Sequence, residues 1–124
     1  MTKFLLIGAG GALGALCRYG LSGFVHRFLP ADYPFGTTAV NVLGCFLFGL
    51  VWVLADERVL IRAEGRIFLL VGFMGAFTTF STYIFETGQL VRDLQWLYAG
   101  LNLTCQIVLG FLGLALGMAA GRLI

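Results

Sequence analysis

Charged residues are scarce in this sequence. They make up 11% of its 124 residues, whereas 60% are hydrophobic, and the mean hydropathy is +0.96. A soluble domain typically carries about 25% charged residues, because its surface must be solvated. The composition therefore predicts a protein that lies in a lipid bilayer. The net charge of +2 is spread between the apolar blocks and gives no indication of nucleic-acid binding.

Residues that carry metal, redox or nucleophilic chemistry are also few. The three cysteines, Cys17, Cys45 and Cys105, lie in apolar runs without CxxC spacing, and His26 is the single histidine. We interpret the cysteines as small hydrophobic side chains rather than as disulfide or metal partners. The sequence contains no recognisable metal-ligand cluster, carboxylate pair or nucleophile beside a base. We therefore expect no catalytic residues and no enzyme.

Long apolar segments are what the sequence does have. A membrane-spanning helix needs about 20 mostly apolar residues, and four segments meet this requirement. The predicted fold is an all-α membrane protein with one transmembrane domain, residues 1–124. Its predicted spans are residues 4–25, 35–54, 67–91 and 96–120.

Polar stretches separate the four segments. They are the proline-bounded turn 30–34, the arginine-rich stretch 56–66 and the pair 92–93. The first segment is longer than a secretory signal core and contains Arg18, so we interpret it as a span. The distribution of lysine and arginine favours cytoplasmic termini only weakly and is compatible with insertion in both orientations.

The third segment is unusual for a membrane helix, because glycines and hydroxyl residues interrupt it. We predict a break in the helix near Gly75–Thr79. Irregular backbone at this depth is tolerated only where protein or a water-filled cavity supplies hydrogen-bond partners. The interrupting residues are Gly72, Gly75, Thr78, Thr79, Ser81, Thr82, Glu86 and Gly88.

Glycines recur at helical spacing in the first and last segments. Such stripes allow helix backbones to approach closely in lipid. They predict close packing of helices within one chain for most positions, with packing against a second copy as the alternative. The stripes are Gly8, Gly10, Gly11 and Gly14 in the first segment and Gly110, Gly113, Gly117 and Gly121 in the last.

Polar side chains inside the spans are hypotheses about function, because they are costly in lipid. Thr37, Thr38 and Asn41 share one predicted helix face, and Asn102 and Gln106 share another. These residues either join helices by hydrogen bonds or provide donors for a small anion along a path. Two charged residues also lie within spans. Arg18 either extends to the interface or supplies positive charge at a pore mouth, and Glu86 either handles protons or pairs with a hydroxyl.

Residues 72–83, GFMGAFTTFSTY, closely resemble the third-span motif of the Fluc-type, camphor-resistance-associated fluoride channels. Residues 36–44, GTTAVNVLG, and the first span ending in Arg18-Tyr19 resemble the first two spans of that family. The resemblance covers essentially the whole chain. It implies a channel in the plasma (inner) membrane that passively exports fluoride, built from two identical four-helix subunits inserted antiparallel as a dual-topology homodimer.

The resemblance also implies roles for individual residues. The backbone carbonyls of Gly75 and Thr78 would bind a structural sodium ion at the dimer centre. Phe80 and Tyr83 match two aromatic residues whose ring edges line the pore. Further matches to the fluoride path are Asn41, Ser81, Thr82, Arg18 and Glu86, with Asn102 and Gln106 as weaker ones.

Tyr83 departs from the family pattern, which usually has phenylalanine at this position. Its hydroxyl group would either bind fluoride or turn away into another hydrogen bond. The alternative function is a proton-coupled exporter of the small multidrug-resistance type, but the first span lacks the acidic residue that such an exporter needs. A non-conducting assembly subunit is a third possibility, against which the polar residues and the interrupted span argue.

Overall fold

The computed structural model describes residues 1–30 and 32–124, so Ala31 in the predicted 30–34 turn lies outside the described residues. Within these described residues, four helical passes are long and apolar enough to cross a membrane, which confirms the number predicted from the sequence. The passes are Thr2–His26, Phe35–Glu57, Ala63–Arg92 and Trp96–Leu123. The predicted spans lie within these bounds, and the assignment of residues 1–124 to one domain stays a prediction.

The helices are labelled in chain order. The first pass is α1 (Thr2–His26), and the second is α2 (Phe35–Trp52) with a π-helical end, Val53–Glu57. The third pass begins with α3 (Ala63–Arg66), widens into the π-helical segment Ile67–Met74, and continues as the short α4 (Gly75–Phe77) and then α5 (Phe80–Arg92). The fourth pass is the single helix α6 (Trp96–Leu123).

The break in the third pass lies between α4 and α5. The backbone is extended at Thr78 (φ −82°, ψ 159°) and at Thr79 (φ −149°, ψ 117°). The break therefore lies at the end of the stretch Gly75–Thr79, where the sequence predicts it. Thr79 then caps α5, because its hydroxyl oxygen accepts a hydrogen bond from the Thr82 amide at 3.3 Å.

Small residues bring α6 directly against α2. A methyl group on Gly113 would come within 2.9 Å of the Val42 carbonyl oxygen, and one on Gly117 would overlap the Phe46 carbonyl. Contact of this closeness is characteristic of helices packed in lipid, where small residues let backbones meet. The glycine stripe of α6 therefore packs against a helix of its own chain.

The first helix is held in the same way. Methyl groups on Gly10 and Gly14 would collide with the backbone of the π-helical segment at Phe68 and Phe73, whereas Gly8 has no such neighbour within 4 Å. Packing within one chain therefore accounts for Gly10 and Gly14 but not for Gly8.

Ion pairs join the ends of three passes on one side of the molecule. Arg122 donates to both carboxylate oxygens of Glu57 at 3.0 and 2.9 Å, which ties α6 to the end of the second pass. Arg66 donates to Asp56 at 2.7 Å, and its guanidinium lies 4.9 Å from the centre of the Trp52 ring. These exposed pairs bring the C-terminal end of α6 and the start of the third pass to the π-helical end of the second pass.

We predict that Gly117→Ala destabilises the protein by about 1–3 kcal/mol, because the new methyl group would overlap a backbone carbonyl that cannot move freely. The matched control on the same helix is Gly100→Ala, which meets nothing within 4 Å. Thermal unfolding in detergent would measure both. Equal midpoints for the two variants would contradict the packing described for α6.

Candidate functional site

One side chain of α2 supplies hydrogen-bond partners to the backbone at the break in the third pass. Asn41 donates to the Thr79 carbonyl oxygen at 3.0 Å, and its amide oxygen accepts from the Thr79 N–H at 2.9 Å. A carboxamide carries a donor and an acceptor at the spacing of a peptide group, so it can replace the missing partners of an extended residue. Asn41 thus stabilises the break through two hydrogen bonds.

The Asn41 amide also begins a series of side-chain hydrogen bonds to α6. Its nitrogen donates to Gln106 at 2.7 Å, and Gln106 donates to Asn102 at 2.9 Å. Asn102, which has no exposed surface, donates to the Thr87 hydroxyl at 2.8 Å. Thr87 returns the series to α5 by donating to the Tyr83 carbonyl oxygen at 2.8 Å.

These contacts refine what the sequence predicts for three amides. Asn41, Asn102 and Gln106 make the interhelical hydrogen bonds that are one of their two predicted roles. Asn41 and Gln106 also border the cavity described below, whereas Asn102 does not line it. Their contribution to an ion path stays a prediction.

Thr87 is a member of this series that sequence reasoning missed. The available signal was its spacing, since it follows Tyr83 by four residues and so lies on the same face of α5. Thr38 contributes no hydrogen bond to this series, because its hydroxyl donates to the Pro34 carbonyl at 3.0 Å. Thr37, Thr38 and Asn41 each border a different cavity, and the shared polar face that their spacing indicates stays a prediction.

The break leaves several backbone carbonyls of the described chain without their usual helical donors, and those of Gly75 and Thr78 are among them. In a continuous helix the Gly75 carbonyl would accept from Thr79 and the Thr78 carbonyl from Thr82. The Thr79 N–H instead donates to Asn41, and the Thr82 N–H donates to the Thr79 hydroxyl oxygen. Gly75 and Thr78 are the residues for which the resemblance implies a sodium site. Among the described residues no group of three His, Cys, Asp or Glu side chains could hold a metal ion.

Two aromatic rings follow the break on α5. Phe80 and Tyr83 contact each other edge to face, with ring centres 5.7 Å apart and planes inclined by 63°. Phe80 is 74% exposed on the chain, whereas Tyr83 is 6% exposed. The Tyr83 hydroxyl donates to the Leu103 carbonyl at 3.2 Å, so the second of its two predicted alternatives is the one observed.

These rings border a largely apolar cavity of about 450 Å³ between α2, the break and α6, which we call the aromatic cavity. Its polar groups come from Asn41, Thr78, Thr79 and Gln106, and the rings of Phe48, Phe80 and Tyr83 contribute to its apolar wall. Ser81 and Thr82 are exposed at the start of α5. Their hydroxyls lie 3.4 and 3.0 Å from that of Thr79.

A second cavity, of about 320 Å³, is bordered by the two charged residues predicted inside the spans, Arg18 and Glu86, and we call it the polar cavity. Thr37 and Thr82 also border it. One carboxylate oxygen of Glu86 accepts from the Thr37 hydroxyl at 2.7 Å, which is one of the two alternatives predicted for this residue. The other oxygen, Oε2, is buried and has no hydrogen-bond partner among the described residues. Thr79 borders both cavities, so the break lies between them.

The chain is similar to one protein-family model and to several named proteins. Residues 5–118 match the family model described as CrcB-like protein, Camphor Resistance (CrcB). A protein of Solidesulfovibrio magneticus named fluoride-specific ion channel FluC is 55% identical over 124 residues, covering 100% of this chain and 99% of the relative. Proteins of the same name from Desulforapulum autotrophicum and Nitrosococcus oceani are 52% and 50% identical, each covering 98% of both chains.

Proposed function

The chain belongs to the CrcB-like, camphor-resistance family, and we infer that it is a fluoride-selective ion channel that passively exports fluoride and lowers its cytoplasmic concentration. The observation that carries this inference is identity of 50% or more, over nearly the whole length, to proteins named as fluoride-specific channels. The protein is a multi-pass integral membrane protein and not an enzyme. The relatives give no support to the alternative of a multidrug-resistance exporter.

The aromatic cavity is proposed as the fluoride path. Aromatic rings carry positive edges, so the edges of Phe80 and Tyr83 would contact a small anion without trapping it by a full charge. The hydroxyls of Ser81 and Thr82 would donate to fluoride at the start of α5. Asn41 would shape this wall rather than donate to the ion, since both hydrogens of its amide nitrogen are already engaged by Thr79 and Gln106.

The polar cavity is proposed as the entrance to this path. The Arg18 guanidinium would attract fluoride, and the Thr82 hydroxyl would replace part of its hydration shell. Thr37 donates its one hydroxyl hydrogen to Glu86 at 2.7 Å, so it would shape the cavity wall rather than donate to the ion.

A second copy of the chain is proposed to complete the channel as an antiparallel homodimer. The Gly75 and Thr78 carbonyls lack helical partners, and such groups are costly when they face hydrocarbon. Unwound backbone carbonyls are typical ligands of sodium in membrane proteins, so the donor set fits that ion. A two-fold axis beside the break would let both copies supply the same two carbonyls to one sodium ion.

Fluoride efflux from liposomes tests the function directly. We expect vesicles that contain the purified protein to release fluoride rapidly and chloride only slowly, without an imposed proton gradient. An ion-selective electrode would measure each anion, with protein-free vesicles as the control. Flux that requires a proton gradient and follows organic cations would contradict the channel and favour the exporter.

Phe80→Ile tests the role of the rings. We expect fluoride efflux to fall at least about tenfold, because an aliphatic side chain lacks the positive ring edge that faces the anion. The matched control is Phe85→Ile, since Phe85 is also exposed on α5 but is absent from the walls of both cavities. Size-exclusion chromatography would verify assembly of both variants. Equal loss of efflux in both would contradict a specific role for Phe80.

Sodium removal tests the proposed ion site. Protein prepared without sodium should unfold at a lower temperature in N-methylglucamine chloride than in sodium chloride of equal concentration. Saturation at about 100 times the dissociation constant would stabilise the native state by about 2.7 kcal/mol. Potassium chloride serves as a control for small monovalent cations. Identical midpoints in sodium and N-methylglucamine would contradict the site.

A further inference from the structure

The hydrogen bonds that run from the break through α6 and back to α5 form one directed series, which we call the interhelical network. Every side-chain member passes the series on by accepting from one neighbour and donating to the next. It starts at the Thr79 backbone N–H and ends at the Tyr83 backbone carbonyl. In order, its members are Thr79, Asn41, Gln106, Asn102, Thr87 and Tyr83.

The two backbone ends determine the orientation of every side chain between them. An N–H can only donate and a carbonyl can only accept, so the Asn41 oxygen must face Thr79, and the Thr87 hydrogen must point to Tyr83. The three amides between these ends then have a single consistent orientation. Reversal of any one amide would place two donors or two acceptors face to face.

The network links both ends of the ring-bearing segment 79–83 to the amides of α6, at one end through Asn41 of α2 and at the other through Thr87 of α5. Its first contact is at Thr79, directly before Phe80, and its last is at Tyr83. The Tyr83 hydroxyl adds another link to the same helix through the Leu103 carbonyl. Without these links the segment would consist of one extended residue and the first turn of α5, with no side-chain hydrogen bond to α6.

Burial separates the network's distal members from any ion. Asn102 has no exposed surface and Thr87 is 7% exposed. Neither residue borders the aromatic or the polar cavity. Their side chains therefore act on the path through the residues that they hold.

We propose that Thr87, together with Asn102 and Gln106, is a positioning residue that fixes the Phe80–Tyr83 rings and the Thr79 break in the conducting geometry. This proposal rests on the fluoride-channel function inferred above. Its decisive element is the Thr87 hydroxyl, which accepts from Asn102 and donates to Tyr83. Removal of this one oxygen leaves the buried Asn102 amide without its acceptor and releases the network at its α5 end.

Thr87→Ala and Thr87→Ser form the matched pair for the test, because they differ by a single hydroxyl. We expect fluoride efflux per assembled channel to fall roughly tenfold in Thr87→Ala, since loosely held pore groups lose their productive geometry. Thr87→Ser should keep efflux within about twofold of the unmodified protein, because it retains the hydroxyl. Chromatography of the assembled fraction and a fluoride electrode supply the normalised rate.

Thr104→Val is the control on α6, since the Thr104 hydroxyl donates only to the Gly100 carbonyl of its own helix. Its efflux should match that of the unmodified protein. Equal rates for Thr87→Ala and Thr87→Ser, whether high or low, would overturn the positioning role. If Thr87→Ala does not assemble, the isosteric Thr87→Val takes its place in the same comparison. Absence of fluoride efflux from the unmodified protein and from Thr104→Val would instead refute the channel function.

Discussion

The two hydrogen bonds between the Asn41 side chain and the Thr79 backbone are the interaction on which the rest of this structure depends. A helix interrupted inside a membrane exposes peptide groups that lipid cannot satisfy, at several kcal/mol for each group. Asn41 supplies a donor at 3.0 Å and an acceptor at 2.9 Å and so replaces the lost partners of the extended residue. Because Thr79 is held extended, its hydroxyl is free to cap α5, and the carbonyls of Gly75 and Thr78 lose their helical donors. One side chain thus makes the break stable and creates its unpaired acceptors.

The position of Asn41 follows from close backbone packing. Gly44 lies one turn further along α2, and a methyl group there would overlap the Thr78 side chain. The same face of α2 therefore approaches both residues of the break. On its other side α2 meets the glycines of α6, where Gly117 leaves room for the Phe46 carbonyl. Small residues bring the helices close enough for short amides to reach across, and the hydrogen bonds then fix the register.

Local features of the sequence were sufficient to predict the four passes and the break. Hydrophobic length gives the passes, and the glycines and hydroxyls of residues 72–82 mark a helix that cannot continue regularly. The partners of the polar groups could not be derived, because they depend on which helix faces which. Thr38, for example, donates to the Pro34 carbonyl at the start of its own helix and not to a neighbouring helix. Thr87 was overlooked because the sequence does not show that Asn102 lies opposite it and donates to its hydroxyl. Likewise, the partner of the Tyr83 hydroxyl could be identified only once the structure placed the Leu103 carbonyl beside it.

On the proposed arrangement, assembly and conduction depend on the same surface. Phe80 is 74% exposed on the chain, and the Gly75 carbonyl beside the break lacks its helical donor. Lipid could cover the ring but could not satisfy the carbonyl. A cation shared by two copies would satisfy it and would bring the Phe80 ring of each copy to the junction. The chain would then form its ion path only when a partner and the shared cation satisfy the backbone carbonyls at the break. A subunit without its partner would therefore be both unstable at the break and unable to conduct.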